Sequence, residues 1–510
     1  MEGYNHNNKR IAKNTLVLYF RMLFLMIISL YTSRVILDTL GIVDYGIHNV
    51  VAGFITMFSM ISLALVNANT RFINFELGRG DFNRLSLVFS TAVTVHVGIA
   101  LLFTLVAETI GLWYLNHVMV IPQDRIIAAN WCYQFSIFNF CLGMINIPYR
   151  ACIIAHEKMK TFAYVSILEG LGQLLISFVI IWNPFDRLIY YALLLFLLQN
   201  LIRYIYQSYC RKHFSECHYK FIIDKRTIIQ ILSFSSWNMF GNGATLLKTH
   251  GGSLILNLFF GPTVNAARGL SVHVSHAVAS FSTNFLMAIT PQITQSYAKG
   301  DYSYLMKLVC SGARFSFYLL FVISLPIIFN IDYILHIWLK DVPAHTAIFV
   351  QLAVINSIIY AITRPLVTAQ NATGNVKAFQ LTIGAVELLN LPIAYLVLWC
   401  GYPPASVLIV SVVLEIVAVF VRIFMVPQTM KEFSTTYFIK DVIVKCSVVS
   451  LLSIIIPLLL IKHDNESFIY FIVSCIVCVL SSAFVILTYG LSRSERLFMM
   501  DRITQFKKKH

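Results

Sequence analysis

Charged residues are scarce in this chain of 510 residues. Only 12% of the residues are Asp, Glu, Lys or Arg, whereas soluble domains carry roughly 25%. A separate polar region that could fold as a soluble domain is also missing, because apolar segments follow one another from near residue 12 to near residue 490. The composition excludes a soluble protein. It predicts an all-α polytopic membrane protein, since helices satisfy their own backbone hydrogen bonds in lipid.

Sequence motifs for ATP hydrolysis and for metal binding are missing as well. The chain has no G-x-x-x-x-G-K-S/T motif, so we expect no ATP hydrolysis by this chain. Cys475 and Cys478 form a C-x-x-C pair, but no second pair completes a zinc site, and Cys475 lies within an apolar run. We therefore expect no metal site. We also expect no cofactor and, because the predicted outer loops are too short for a catalytic surface, no enzyme activity. Met1 to Lys13 is polar and the next apolar run is too long for a cleaved signal peptide.

Apolar runs of about 20 residues, the length that crosses a bilayer core, occur about 14 times. The predicted spans lie near residues 12–38, 46–70, 85–115, 126–154, 161–182, 187–209, 228–259, 266–295, 303–330, 346–370, 377–400, 404–428, 436–462 and 467–490. Some connections between them are very short, such as Asn183 to Asp186 and Gly401 to Pro404. Short connections predict antiparallel neighbouring helices.

The distribution of Lys and Arg predicts the orientation of the chain. With both termini in the cytoplasm, most of the 38 cationic residues flank the cytoplasmic ends of spans. The opposite side then holds only Arg34, Arg125, Arg187, Arg268, Lys340 and Lys462. The net charge of +15 is explained by this topology and by attraction to anionic lipids, so nucleic acid is not an expected partner.

A weak internal repeat divides the chain into two halves. Leu40-Gly41 matches Phe260-Gly261, and Gly80-Asp81 matches Gly300-Asp301, both at an offset of about 220 residues. Further pairs follow in order at similar offsets: Pro148 and Pro365, Ala155 and Ala372, Lys160 and Lys377, Phe162 and Phe379, Trp182 and Trp399, Arg203 and Arg422. Six spans per repeat predict two six-helix bundles, residues 1–220 and 221–430, related by an axis along the membrane normal. Two additional helices (431–492) and a basic cytoplasmic tail (493–510) follow. Transporters built from such repeats place their substrate between the halves and alternate access to it.

A few charged side chains lie within the predicted spans, where each costs roughly 3 kcal/mol or more unless it faces a cavity or a partner. We expect the cations to line a cavity that receives an anionic group such as a diphosphate, because guanidinium groups pair well with phosphate. The alternative is that they reach the interface or form structural pairs. The candidate substrate-binding residues are Arg21, Lys248, Arg364, Arg314 and Arg268.

Carboxyl groups within the spans are candidates for ion coupling. Glu169 and Glu387 fall on equivalent helices of the repeat, and Glu415 lies in the twelfth span. A buried carboxyl with a raised pKa can carry a proton. We assign the coupling role to Glu387 and Glu169, while a neutral or Arg-paired contact between helices remains the alternative.

Several segments resemble the multidrug/oligosaccharidyl-lipid/polysaccharide (MOP) exporter superfamily, in particular its O-antigen and capsule flippases. These segments are Leu40-Gly41-Ile42-Val43-Asp44-Tyr45-Gly46, Thr70-Arg71, Gly80-Asp81, Ile337-Trp338-Leu339 and Gly374 to Lys377. The resemblance implies two six-helix bundles, often with two extra helices, and a cationic central cavity.

The same resemblance implies a function. The implied substrate is an undecaprenyl-diphosphate-linked oligosaccharide, moved from the cytoplasmic to the periplasmic leaflet of the bacterial inner membrane. The implied partners are this substrate, membrane lipids, a polysaccharide polymerase and chain-length proteins. A lipid II flippase or a multidrug antiporter of the same superfamily is the main alternative. A membrane-embedded polymerase or ligase is a remote one, because the expected outer loops are short.

Overall fold

The computed structural model describes residues 2–56, 58–117, 119, 121–182, 186–339, 342–460, 467–492 and 495–496. Within these residues the chain is all-α and contains no strand. Lys340, Lys462 and most of the predicted basic tail (493–494 and 497–510) lie outside the described residues. The predicted all-α membrane fold is confirmed.

The described chain forms two compact units. Unit 1 comprises residues 1–242 and 294–300, and unit 2 comprises residues 243–293 and 301–510. These units are defined by contacts within the fold, and the domain limits expected from the sequence remain a prediction.

The first half of the chain contains helices α1 to α7. They are α1 (Glu2–Thr56, which is interrupted by non-helical backbone at Gly41), α2 (Ser59–Arg79), α3 (Phe82–Val106), α4 (Leu112–His117), α5 (Ile126–Ala155), α6 (Met159–Val179) and α7 (Arg187–His213). A π-helical segment, Ala107–Gly111, joins α3 to α4, and a short 3₁₀ turn, Ser215–Cys217, follows α7. Within unit 1, α5 packs against α2, α3 and α7, while α1 packs against α6.

The second half contains helices α8 to α18. They are α8 (Lys225–Phe260), α9 (Pro262–Ala298), α10 (Tyr302–Phe329), α11 (Ile331–Trp338), α12 (Thr346–Thr373), α13 (Lys377–Leu388), α14 (Asn390–Trp399), α15 (Ser406–Thr429), α16 (Thr435–Phe438), α17 (Lys445–Leu460) and α18 (Phe468–Val485). A π-helical segment, Ile439–Val444, joins α16 to α17. Within unit 2, α12 packs against α10 and α15, and α17 packs against α18.

Eleven helical segments among the described residues are long and apolar enough to cross a membrane. They coincide with eleven of the 14 predicted spans. Helices α8 and α9 cover two of the others and, at 36 and 37 residues, would reach more than about 50 Å at 1.5 Å per residue. Their length is sufficient, but side chains such as Lys248, His250 and Arg268 lower their hydropathy. The remaining predicted span, 46–70, is divided between the end of α1 and the start of α2.

Glycines at matching repeat positions give both halves the same turns. Gly41 and Gly261 have φ values of 78° and 77°, and Gly80 and Gly300 have φ values of 74° and 75°. Side chains other than hydrogen disfavour this left-handed backbone. After the second pair, the carboxylates of Asp81 and Asp301 accept hydrogen bonds from the backbone N–H groups of Arg84 and Tyr304. The weak sequence repeat therefore corresponds to a repeat of local backbone geometry.

The outward-facing surfaces of the helices are apolar. Leu101, Leu102 and Leu105 on α3 are more than half exposed, as are Leu458 and Leu459 on α17. Such surfaces would be unfavourable in water but suit contact with lipid. This pattern and the eleven apolar helices define a multi-pass membrane protein.

Candidate functional site

A polar cavity of about 150 Å³ lies inside unit 2. Five helices line it: α8, α9, α12, α13 and α15. Its charged lining residues are Lys248, Arg268, Glu387 and Glu415. The cavity brings together three of the residues assigned from the sequence, Lys248, Arg268 and Glu387.

A buried arginine on α15 holds both carboxylates of this cavity. Arg422 is 1% exposed. Its Nη1 donates to Oε1 of Glu415 at 2.6 Å, and its Nη2 donates to Oε1 of Glu387 at 3.2 Å. Nη1 also lies 3.2 Å from Oγ1 of Thr363, and the guanidinium lies 5.1 Å from the centre of the Tyr360 ring. The two acids are thus charge-paired, which offsets the cost of burying them.

The second oxygen of each carboxylate also has a partner. Lys248 Nζ lies 3.4 Å from Oε2 of Glu415, and the Thr245 hydroxyl donates to Oε2 of Glu387 at 2.8 Å. The Lys248 contact is longer than the usual charge-assisted hydrogen bond of about 2.7–2.9 Å. Lys248 is therefore the loosest member of this network.

Two further cations lie at or beside this cavity. Arg268 lines it and donates to the Ser271 hydroxyl at 3.4 Å, while its Nε is buried with no hydrogen-bond partner among the described residues. Arg364 does not line the cavity. Its guanidinium lies 5.0 Å from the centre of the Tyr360 ring, which does line it, and it also donates to the Thr283 hydroxyl.

A smaller polar cavity, about 60 Å³, lies inside unit 1. It is lined from α5, α6 and α7, and its charged residues are Arg150, Arg203 and Glu169. Glu169 Oε1 accepts a hydrogen bond from the Gln199 amide at 2.8 Å. Two cations thus share a cavity with one carboxylate, which itself binds an amide.

Arg21 lies near this smaller cavity without being one of its lining residues. Its Nη1 donates to the Ser166 hydroxyl at 3.4 Å, and its guanidinium lies 4.7 Å from the centre of the Phe162 ring. It also interacts electrostatically with Arg150 and Glu169. Arg21 and Glu169 are therefore grouped in unit 1, as Lys248 and Glu387 are in unit 2.

Arg314 lies away from both cavities. Its Nη1 donates to Asp441 and its Nη2 donates to Glu495, each at 2.5 Å. These ion pairs connect α10 to the π-helical segment before α17 and to the chain beyond α18. With both carboxylates paired to it, Arg314 acts as a structural link, and we leave it out of the substrate site.

Arg422, Arg150 and Tyr360 contribute to the cavities or their charge networks but were not assigned from the sequence. In the sequence, a role for Arg422 is indicated by its match to Arg203 in the internal repeat. Glu415 lies within a predicted span, but its cationic partners are Lys248 on α8 and Arg422 two turns further along α15. Nothing in the linear pattern indicates which helices pack together.

Comparison with known proteins places the chain in a class and then in a family. The fold is that of a membrane transporter, because solved structures of MATE transporters superimpose on most of the chain. A mutant form of the Vibrio cholerae MATE transporter VcmN aligns with a TM-score of 0.72 at 16% identity, over 86% of this chain and 100% of that one. A MATE transporter in its straight conformation also gives 0.72, at 10% identity over 83% and 97%. At such identities the likeness shows the fold alone.

The family follows from the sequence match. The family model described as polysaccharide biosynthesis protein matches residues 11–331, so the chain belongs to that family and, with it, to the MOP superfamily. The predicted superfamily is confirmed. A curated relative, the uncharacterized membrane protein EpsK of Bacillus subtilis (strain 168), is 21% identical over 56% of this chain. The chain spans 57% of that relative's length.

Proposed function

We propose that this transporter is a flippase for an undecaprenyl-diphosphate-linked oligosaccharide, the substrate that the sequence resemblance implied. It moves the lipid-linked sugar from the cytoplasmic to the periplasmic leaflet for O-antigen, capsule or exopolysaccharide synthesis. The protein then lies in the bacterial inner membrane with both termini in the cytoplasm. Membrane lipids, a polysaccharide polymerase and chain-length proteins are its proposed partners.

The observation that carries this proposal is the excess of cations over acids at both polar cavities. In unit 2, Lys248 and Arg268 line the cavity together with two carboxylates, and both of these carboxylates also bind the buried Arg422. In unit 1, Arg150 and Arg203 face one. A positive charge without a matching acid is costly within a membrane protein unless an anion binds there during function. A diphosphate supplies that anion and leaves the sugar and lipid to be accommodated elsewhere.

Lys248 is the residue best placed to bind the diphosphate in unit 2. Its 3.4 Å contact with Glu415 is weak, and Glu415 retains Arg422 at 2.6 Å when Lys248 turns away. A phosphate oxygen therefore replaces one carboxylate oxygen without leaving Glu415 unpaired. Arg268, whose Nε has no partner among the described residues, contributes a second donor.

Glu387 and Glu169 are the proposed coupling groups. Glu387 binds Arg422 and Thr245, and Glu169 binds Gln199. Protonation of either carboxyl changes the charge of its cavity by one unit, so proton binding and anion binding are linked. Transport should then respond to a proton gradient, and Glu387→Gln or Glu169→Gln should weaken that response. Transport that is indifferent to the gradient would rule out both residues as carriers.

The charged residues of unit 2 fit a multidrug antiporter less well than they fit a flippase for an anionic substrate. An exporter of organic cations needs an acid that is available to the drug, but Glu387 and Glu415 both bind the buried Arg422. A lipid II flippase would use the same diphosphate chemistry and differs only in the sugar. The remote enzyme alternative gains no support from the two cavities, because the carboxylates that line them already bind an arginine, a lysine, a hydroxyl or an amide.

Complementation tests the proposal. The chain is expressed in a bacterium that lacks its O-antigen flippase, and surface polysaccharide is measured. Wild type should restore it, and the Arg21→Ala, Lys248→Ala double variant should not, although it still inserts.

Arg226→Ala is the matched control, because Arg226 is an exposed cation on the same helix as Lys248. Full activity of the double variant would contradict the cationic site. Failure of the wild type would be followed by the same assay in cells depleted of their lipid II flippase.

A further inference from the structure

A cluster of thiols lies in unit 1, apart from the polar cavity. Cys152 is near the end of α5, Cys210 is near the end of α7, and Cys217 lies in the 3₁₀ turn that follows. All three are fully buried, and Glu216, beside Cys217, is 3% exposed. The cluster thus combines three sulfur groups and one carboxylate in a place that water does not reach.

The donor atoms are close together. The sulfurs of Cys152 and Cys217 and a carboxylate oxygen of Glu216 all lie within 4.8 Å of one another. The Cys210 thiol donates to the Tyr149 carbonyl oxygen at 3.4 Å and interacts with the neighbouring Cys217 thiol. In a tetrahedral zinc site with Zn–S bonds of about 2.3 Å, the donors are roughly 3.8 Å apart. The donor atoms of Cys152, Cys217 and Glu216, all within 4.8 Å of one another, are therefore close to this separation.

A histidine holds the carboxylate of the cluster. His156 Nε2 lies 2.5 Å from Oε1 of Glu216, and the His156 ring stacks on Phe214 with centroids 4.1 Å apart. Hydrogen bonds of this kind orient ligands in metal sites. The pair also fixes the chain between α5 and the turn after α7.

Helix packing alone does not require these residues. At the offsets of 217 and 219 that relate the two halves here, Cys152 corresponds to Ala369 and Cys210 corresponds to Thr429. Ala369 is fully buried, and Thr429 donates to the side chain of Gln370. The same fold position in unit 2 is thus built without any thiol, so the sulfur chemistry is particular to unit 1.

We propose that Cys152, Cys217 and Glu216, with Cys210 as the fourth donor, bind a zinc ion or a similar thiolate-binding divalent metal. Thiolates favour zinc over magnesium or calcium, and four protein donors with no open position are typical of a structural site. The ion would join the end of α5 to the turn after α7. In the orientation proposed above, the cluster lies on the cytoplasmic side, where thiols remain reduced and available as ligands.

Metal analysis of the purified full chain tests this site. After removal of metal with a chelator and addition of zinc, wild type should retain about one zinc per chain and melt at a higher temperature than before. The Cys152→Ser, Cys217→Ser double variant should retain none and show no rise in melting temperature. Cys310→Ser is the control, because Cys310 is equally buried but lies in unit 2, and it should behave as wild type.

A second variant and a second readout keep the test decisive if the double variant folds poorly. Glu216→Gln should weaken zinc binding at least about tenfold, because it removes one charged ligand. Cobalt added in place of zinc should give thiolate-to-metal absorption in wild type and in Cys310→Ser. Absence of bound metal in wild type, full zinc retention by the double variant, or a disulfide among these cysteines in the intact mass would each overturn the proposal.

Discussion

The polar cavities of the two units use charge differently, although the repeat places related residues around them. In unit 2 the acids Glu387 and Glu415 are joined by Arg422, which is almost completely buried. In unit 1 the corresponding acid, Glu169, binds the neutral amide of Gln199, while Arg203, the match of Arg422, forms no ion pair among the described residues. The comparison separates two roles of a cation in a membrane protein: a structural partner of buried acids, and a charge that is left available for a ligand.

The largest expected effect comes from removing the structural cation. Arg422→Met leaves two buried carboxylates with only Lys248 as a charged partner, so we expect the free energy of unfolding to fall by about 3–5 kcal/mol. The matched variant Arg203→Met should cost less than about 1 kcal/mol, because Glu169 keeps its amide partner. Denaturant unfolding in detergent, followed by circular dichroism, measures both.

The same comparison has an internal control. Adding Glu387→Gln and Glu415→Gln to Arg422→Met should recover much of the lost stability, because the buried charges are then gone. An equal loss for Arg203→Met and Arg422→Met would show that the two units do not differ in this way.

A smaller effect, on transport and not on stability, is expected for Lys248, whose contact with Glu415 is long. Lys248→Gln should lower transport at least about tenfold, equivalent to about 1.4 kcal/mol, and Lys248→Arg should retain most of it. Stability should change little, since Arg422 still holds Glu415. Reconstituted vesicles loaded with a labelled polyprenyl-diphosphate sugar provide the measurement. Loss of stability in parallel with transport would instead make Lys248 a structural residue like Arg422.

The smallest expected effect is a loss of stability at the N-terminus of α7, which is compared with the N-terminus of the equivalent helix α15. Asp186 caps α7 by accepting from the N–H groups of Leu188 and Ile189, and it also binds Arg125, which in turn binds Asp44. The equivalent helix in unit 2, α15, starts after Ala405 without a side-chain cap. Asp186→Asn keeps a capping side chain but loses the ion pair, and we expect a loss of about 1 kcal/mol.

The pH dependence of this effect has a defined sign. Partial burial raises the pKa of the Asp186 carboxyl, but the Arg125 guanidinium and the Ile189 N–H lower it more, so the pKa lies below its usual value. A lowered pKa in the folded state stabilises the protein above the unfolded pKa, and this stabilisation is lost as pH falls through the folded pKa. The gap in melting temperature between wild type and Asp186→Asn should thus be constant near neutral pH and close in acid. A gap that widens in acid would contradict the ion pair.

Local patterns in the sequence predicted the parts of this molecule that depend on local chemistry. Apolar length predicted the spans, and the matched glycines Gly41 and Gly261 predicted a repeat that the backbone also shows. One position shows the limit of such matching: Glu157 adopts a left-handed φ of 54° where unit 2 has Gly374 at 78°. The sequence carries no sign of this conformation, because Glu rarely adopts it.

Features that depend on which helices pack together could not be read from the sequence. Arg314 looked like a cavity cation, but its partners Asp441 and Glu495 lie more than a hundred residues further along the chain. The partners of Arg422 were hidden in the same way. The thiol cluster also needs the ends of α5 and α7 to meet, and Cys152 and Cys217 show no metal-binding spacing by themselves.

Binding of a polyprenyl diphosphate tests the central claim, a cationic site for this group, most directly. Affinity of the purified chain for a short polyprenyl diphosphate is compared with affinity for the uncharged alcohol of the same length, in wild type, Lys248→Gln and the control Arg226→Gln. The account predicts that the diphosphate binds more tightly than the alcohol, and that Lys248→Gln alone weakens it at least about tenfold. Equal affinity for the diphosphate and the alcohol, or unchanged affinity in Lys248→Gln, would contradict it.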